Sequence, residues 1–179
     1  MSRTSIEVVI LAGGQSSRMG RDKAKLRVAR RSLLSHARRS ARALKLRARV
    51  VRRDLIARCG PLGGIYTALK SSGAGAVLFL ACDMPFVTPV LLRRLIASLR
   101  ERDGASFVTL KRRVGFPFII RSRCAMRVKK EILLGRLSLQ ELAVSLKARR
   151  LSIPPGEGAA LFNINTPEDL VAARKGRTG

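Results

Sequence analysis

The sequence predicts a three-layer α/β domain with a mostly parallel sheet, and three observations carry that expectation. Short apolar runs alternate with segments of helical period along the whole chain. The strongest of these runs are apolar on both faces, as strands are when helices cover both sides of a sheet. Glycine turns or an aspartate stand directly after the runs, where open α/β sheets keep their ligand-binding loops.

Taken in order, Glu7-Val8-Val9-Ile10-Leu11 is a buried strand that feeds the turn Ala12-Gly13-Gly14. From Ser32 to Leu46 the residues Leu33, Ala37, Ala41 and Leu44 recur at helical spacing, with arginines on the other faces. Arg49 to Arg52 is a weak strand. The sequence then predicts a glycine turn at Gly60-Pro61-Leu62-Gly63-Gly64 and a helix to about Lys70. Ala76 to Cys82 is the most apolar strand, stopped by Asp83. Thr88-Pro89 opens a helix with a cap residue and a first-turn proline, and it runs to about Arg100. Two strands, 106–110 and 116–121, flank a basic turn. Helices follow at about 123–134 and 138–147, the second opened by the capping box Ser138-Leu139-Gln140-Glu141. Leu151 to Ile153 is a short strand and Pro154 to Ala160 a loop. The last helix is capped by Thr166-Pro167-Glu168-Asp169. Without linkers or repeats, residues 1–179 read as one domain.

Composition narrows the class. The chain has 179 residues, 46% of them apolar, so it can bury a core, but Trp is absent and aromatics make up 4%. That core must be aliphatic. No apolar run approaches the roughly 20 residues that span a bilayer, and no signal-peptide pattern opens the sequence, so a cytoplasmic protein is expected. Cys59, Cys82 and Cys124 are far apart and form no metal-spaced pair. His36, the sole histidine, reads as a solvated helix residue and not as a catalyst. The charge is unusual: 37 Lys and Arg against 11 acids, a formal +26. Such a balance attracts phosphorylated ligands and, without sequence preference, nucleic acid. The cations are spread along the sequence without aromatic interleaving, so charge alone says "binds anions".

Chemistry concentrates in the segment 11–24, Leu-Ala-Gly-Gly-Gln-Ser-Ser-Arg-Met-Gly-Arg-Asp-Lys-Ala. Glycines after a strand let backbone N–H groups approach phosphates, and Arg18 and Lys23 add charge. The Walker A and G-x-G-x-x-G patterns are both missing. On composition a plain glycine turn is as good a reading. Asp83 follows the strongest strand, where a carboxylate can hold Mg²⁺ or simply shape a turn. Two glycine segments and an aspartate at the ends of successive strands converge on one rim, which favours a site.

Four motifs, 11–24, Gly-Pro-Leu-Gly-Gly-Ile (60–65), Cys-Asp-Met-Pro (82–85) and Phe-Asn-Ile-Asn-Thr-Pro-Glu-Asp-Leu (162–170), resemble those of the molybdenum cofactor guanylyltransferase family. The resemblance implies a Rossmann-like nucleotidyltransferase fold and Mg²⁺-dependent transfer of guanylyl from GTP to the phosphate of molybdopterin. It implies that the backbone of Leu11, Ala12 and Gly13, together with Lys23, Asp54 and Asp83, binds the nucleotide. Asp83 would be the metal ligand. Arg18, Gly60, Asn163 and Asn165 match positions tied to the reaction or the pterin side, and Arg18, Lys23 and Asp83 would be catalytic. Molybdoenzymes or enzymes of cofactor biosynthesis would be its protein partners.

One stretch departs from the family. Between the first helix and Gly60 the family carries a full apolar strand, a loop with a nucleotide-contacting asparagine, and a second short strand ending at the aspartate. Here only Arg47 to Cys59 remains, and the first strand and the asparagine are expected to be missing. Two alternatives stay open: a cytidylyltransferase or another nucleotidyltransferase of the same superfamily, and a shortened, inactive copy that binds nucleotide or other anions. The motifs Ala12-Gly13-Gly14 and Gly60-Pro61-Leu62-Gly63-Gly64 side with the guanylyl branch.

Overall fold

A computed structural model describes residues 4–12, 23–56 and 58–176 of the chain. Three parallel strands form one half of the sheet: β1 (Ile6–Leu11), β4 (Ala48–Val51) on its outer edge, and β5 (Ala76–Ala81) on its inner side. The strand order is β4-β1-β5-β7-β6-β8, with β6 at Ala105–Leu110, β7 at Arg113–Arg121 and β8 at Arg149–Ser152. β7 is antiparallel to both its neighbours, and β8 runs parallel to β6. Five of the six strands therefore point the same way, and their carboxyl ends share one rim.

Side chains of β1 and β5 alternate between two helix layers, as a strand's period of two requires. Val9, Val77 and Phe79 face one core with α2 (Gly60–Lys70), α4 (Ala125–Leu133) and α5 (Leu139–Ser145). Val8, Ile10, Leu78 and Leu80 face the other with α1 (Leu33–Arg42) and α3 (Pro89–Ser98). The few aromatics are pooled: Phe118 stacks on Phe79 and Phe107, with ring centroids 5.0 and 4.6 Å apart. No described helix is long and apolar enough to cross a membrane.

The expected caps at Thr88, Ser138 and Thr166 form, and Ser32 adds one that the sequence reading did not name. Ser32, Thr88, Ser138 and Thr166 each accept a hydrogen bond from a first-turn N–H, and the boxes at 138–141 and 166–169 close reciprocally. Four expectations need correction. Gly60 to Gly64 is not a turn before a helix but the first turn and a half of α2 itself. Residues Pro155–Leu161, expected as a loop, wind into a 3₁₀ helix. A two-residue hairpin, β2 (Arg27–Val28) with β3 (Arg31–Ser32), precedes α1. It escaped the sequence because Ala29 and Arg30, not Gly or Asn, take the positive φ of its turn. His36 is half-buried, its Nε2 2.9 Å from the Val28 carbonyl oxygen, and so ties α1 to that hairpin.

The shortened segment does not leave the sheet without its edge. β4 pairs with β1 over four residues, and the Ala12 amide donates to the Val51 carbonyl (2.9 Å). β4 looked weak in sequence because its middle is held by charge. Arg49 donates to buried Glu7 on β1 (3.0 Å) and to the Ala68 carbonyl on α2 (2.9 Å). The cysteines form no disulfide; Cys59 and Cys82 are buried and Cys124 is half-buried.

Candidate active site

Asp83 lies two residues beyond β5, on the rim where the parallel strands end. Its side chain keeps only 18% of its exposure, and Lys23, in a short 3₁₀ turn, keeps 19%. The Lys23 ammonium stands 3.5 Å from Asp83 Oδ2 and donates a shorter bond, 2.9 Å, to Asn165 Oδ1. Burial pushes the Asp83 carboxyl above its ordinary value, and the nearby Lys23 charge only partly reverses that.

Asn165 is held from two directions. The Ile164 amide donates to the Asp83 backbone carbonyl (3.0 Å), which pins residues 163–165 against the end of β5. Asp169, in the first turn of α6 (Pro167–Arg174), accepts from the amides of both Asn165 (2.8 Å) and Thr166 (2.9 Å). These bonds, the Asn165 amide first, hold the Asp169 carboxyl below its ordinary value. Sequence reasoning read Asp169 as part of a helix cap but missed its second task, orienting the residue that bonds Lys23. A capping-box acid three residues after the cap was the available clue. Asn163 is exposed on the same loop and bonds to no described residue.

Asp54 occupies the neighbouring rim, three residues after β4. The residue is exposed, yet its carboxylate leans over α2. Oδ2 lies 2.9 Å from where a Cβ on Gly63 would stand, and Oδ1 3.2 Å from one on Gly64. A Gly63 Cβ would also meet the Ile56 carbonyl at 2.7 Å. These two glycines therefore serve close approach within the protein, where the sequence suggested a glycine turn on the ligand-binding rim. The mass of α2 on one side pushes the Asp54 carboxyl above its ordinary value. The Leu55 amide donates to Thr67 Oγ1 (2.8 Å), fixing the loop onto the same helix.

Leu11 and Ala12 end β1 between these two aspartates. The Leu11 carbonyl accepts from Cys82 (3.2 Å) and the Ala12 amide is engaged with Val51, so both groups are already committed to the sheet. Gly60 begins α2 at φ +53°, a left-handed conformation suited to glycine, with its Cα facing the Leu137 carbonyl on the α4–α5 connection. Gly13 and Arg18 fall outside the described residues. Among the described residues the structure thus brings Lys23, Asp83 and Asn165 into contact and sets Asp54, Leu11 and Gly64 together beside them.

The donor set suits a hard divalent cation that keeps water and phosphate oxygens as ligands. Such an ion needs one or two carboxylates from the protein, and Asp83 offers one whose negative charge is poorly compensated. No cluster of three metal-ligating side chains occurs among the described residues, so a cage made by protein alone is not what this site resembles.

Similarity to known proteins identifies the group. Residues 8–148 match the family described as the MobA-like NTP transferase domain. A probable molybdenum cofactor guanylyltransferase of Pelotomaculum thermopropionicum is 32% identical, over 93% of this chain and 90% of that protein. The molybdenum cofactor guanylyltransferase of Xanthomonas euvesicatoria is 30% identical, over 89% of each. In fold, the chain is similar to molybdopterin-guanine dinucleotide biosynthesis protein A of Archaeoglobus fulgidus, with a TM-score of 0.73 and 22% identity, over 94% of this chain and 97% of that one. With a matched domain spanning most of its length and full-length relatives of one name, this chain belongs to the MobA-like NTP transferase family as a nucleotidyltransferase of the molybdenum cofactor guanylyltransferase group.

Proposed function

We propose that the protein transfers a guanylyl group from GTP to the phosphate of molybdopterin, releasing pyrophosphate. The observation that carries the reading is the contact of Lys23, Asp83 and Asn165 on the carboxyl rim of the sheet. Three segments far apart in sequence converge there, and they set a half-buried lysine beside a half-buried carboxylate at the end of the sheet where such folds bind ligands.

In this reading an oxygen of the acceptor phosphate attacks the α-phosphorus of GTP, and the bond from that phosphorus to the bridging oxygen of pyrophosphate breaks. The attacking group is already an oxyanion, so no general base is required, in keeping with a rim that holds no histidine. Lys23 places positive charge on the phosphates, and Arg18 is assigned a like role. Asn165 keeps Lys23 from collapsing wholly onto Asp83. Asp83 would hold Mg²⁺, which when bound supplies charge neutralisation on the triphosphate. Asp54, with Leu11, Ala12 and Gly13, is assigned to the nucleotide; Gly60, Asn163 and Asn165 border the acceptor. Rate enhancement then comes from positioning and electrostatic stabilisation.

Calorimetric titration with GTP, CTP and ATP, in Mg²⁺ and enough salt to screen loose charge, tests the reading on wild type and Asp83→Asn. Selective GTP binding that the variant loses, followed by pyrophosphate release on adding molybdopterin, is the expected result. Equal, Mg²⁺-independent binding of all three nucleotides would overturn it in favour of an anion-binding copy.

A further inference from the structure

The 31 residues from Lys23 to Arg53 contain thirteen Lys and Arg and not one acid. The fold gathers much of that run onto one side of the molecule. The β2–β3 hairpin exposes Arg30 in its turn and Arg31 at the start of β3, and α1 then buries Leu33, Leu34, Ala37 and Ala41 while exposing Arg38, Arg39 and Arg42. On the adjoining helix α3, exposed Arg93 donates to the Ala43 carbonyl at the end of α1 (3.0 Å), which extends the cationic surface sideways. Among the described residues no carboxylate pairs with any of these six arginines. The acids are spent elsewhere: Glu7 on Arg49, Asp83 on Lys23, Asp103 on Arg149, Glu131 on Arg136, Glu157 on Arg94, and Glu141 and Asp169 in helix caps.

We infer that this arginine face binds the phosphodiester backbone of a nucleic-acid duplex, independently of the nucleotidyltransferase site. Three features choose that partner. The hairpin and α1 expose no large apolar side chain; of the exposed ones among the described residues, Leu55, Val90, Met126, Leu133, Leu134, Val144 and Val171, one borders the face, Val90, a turn before Arg93 on α3. A protein partner needs an apolar or aromatic core at the interface, and a membrane surface needs residues that insert, so both are poorly served. The face also lacks aromatic residues, which single strands use as stacking platforms. What remains is a row of exposed guanidinium groups carried on one helix, Arg38 and Arg42 one helical turn apart, suited to a regular row of phosphates.

The test is fluorescence anisotropy of a 24-base-pair DNA duplex, an RNA duplex of the same length and a single strand, over a salt series. The triple variant Arg38→Gln, Arg39→Gln, Arg42→Gln is compared with Arg127→Gln, Lys130→Gln, Lys147→Gln on the opposite helix layer. Circular dichroism melts check that both remain folded. Duplex binding by wild type should fall steeply with salt. The α1 variant should flatten the log–log slope by about 3 and bind on the order of a hundredfold more weakly at 0.1 M salt. The control variant should change neither by more than about a third as much. Asp83→Asn should bind duplex like wild type, which separates this inference from the guanylyl-transfer reading. Equal losses in both triple variants would overturn it, since charge anywhere would then do. Absence of duplex binding at low salt, or tighter binding to anionic vesicles or to polyglutamate, would overturn it as well.

Discussion

Asp83 and Asp54 stand beyond the two strands that flank β1, and both have carboxyls held above their ordinary value, yet they are built in opposite ways. Asp83 is set by parts from across the sequence: Lys23 from after β1, Ile164 and Asn165 from after the 3₁₀ turn, and Asp169 behind them. Asp54 is set locally, by α2 a dozen residues on, through Thr67 and the bare backbone of Gly63 and Gly64. One carboxylate is half-buried with a charged partner; the other is exposed and leans on a helix. The β5 rim thus costs folding energy to create a charged site, while the β4 rim uses missing side chains to place a carboxylate in water.

The contrast is broken most severely at Asp83 and Lys23. Asp83→Asn and Lys23→Ala are each expected to lower turnover by about a hundredfold to a thousandfold, read as pyrophosphate release under saturating GTP. Near-normal turnover in either purified variant would refute the roles assigned here. Gly63→Ala should strike the other rim, because its Cβ cannot coexist with the Ile56 carbonyl at 2.7 Å and Asp54 Oδ2 at 2.9 Å. A destabilisation of about 1–3 kcal/mol is expected, with a raised KM for nucleotide and a smaller change in kcat. An unchanged denaturation midpoint would show that the loop gives way freely.

Asp169→Ala removes a cap and frees Asn165. Its expected cost is about 1 kcal/mol, seen as a fall of about 2–4 °C in Tm, together with slower turnover although Asp169 touches neither substrate. The Asp169 carboxyl is held low, so its contribution is present above the unfolded value of 3.8 and is lost as pH falls through the lower folded value. The smallest effect is the opposite sign at Asp83. Its folded value is raised, so the ionised carboxylate costs stability above that value and costs none below 3.8. Asp83→Asn should therefore raise Tm at neutral pH, with the gain vanishing as pH falls towards 4, in a melt series over pH.

The sequence disclosed those parts of the fold whose cause is local. β5 announces itself by six apolar residues, and the caps at Thr88, Ser138 and Thr166 by side chains that must satisfy nearby N–H groups. It gave less where the cause is distant. β4 is half-exposed and owes its place to Arg49 reaching Glu7 and Ala68, a bond between segments that no local pattern displays. Lys23 and Asp83 were legible through a motif, but their contact with Asn165 depends on a chain reversal some 140 residues later. The roles of Gly63 and Gly64 were hidden because an absent side chain does not say what approaches it.

The bond from Ile164 to Asp83 has a consequence for the life of the molecule during synthesis. By the time β1, Lys23 and Asp83 have left the ribosome, every residue of the reactive pair exists, but the segment that separates and orients them has not been made. A nascent chain halted near residue 150 could pair β5 with β1 and β7 and still hold Lys23 with no Asn165 to draw it away from Asp83. The last stretch of the chain to be made is therefore the one that supplies the second partner of Lys23.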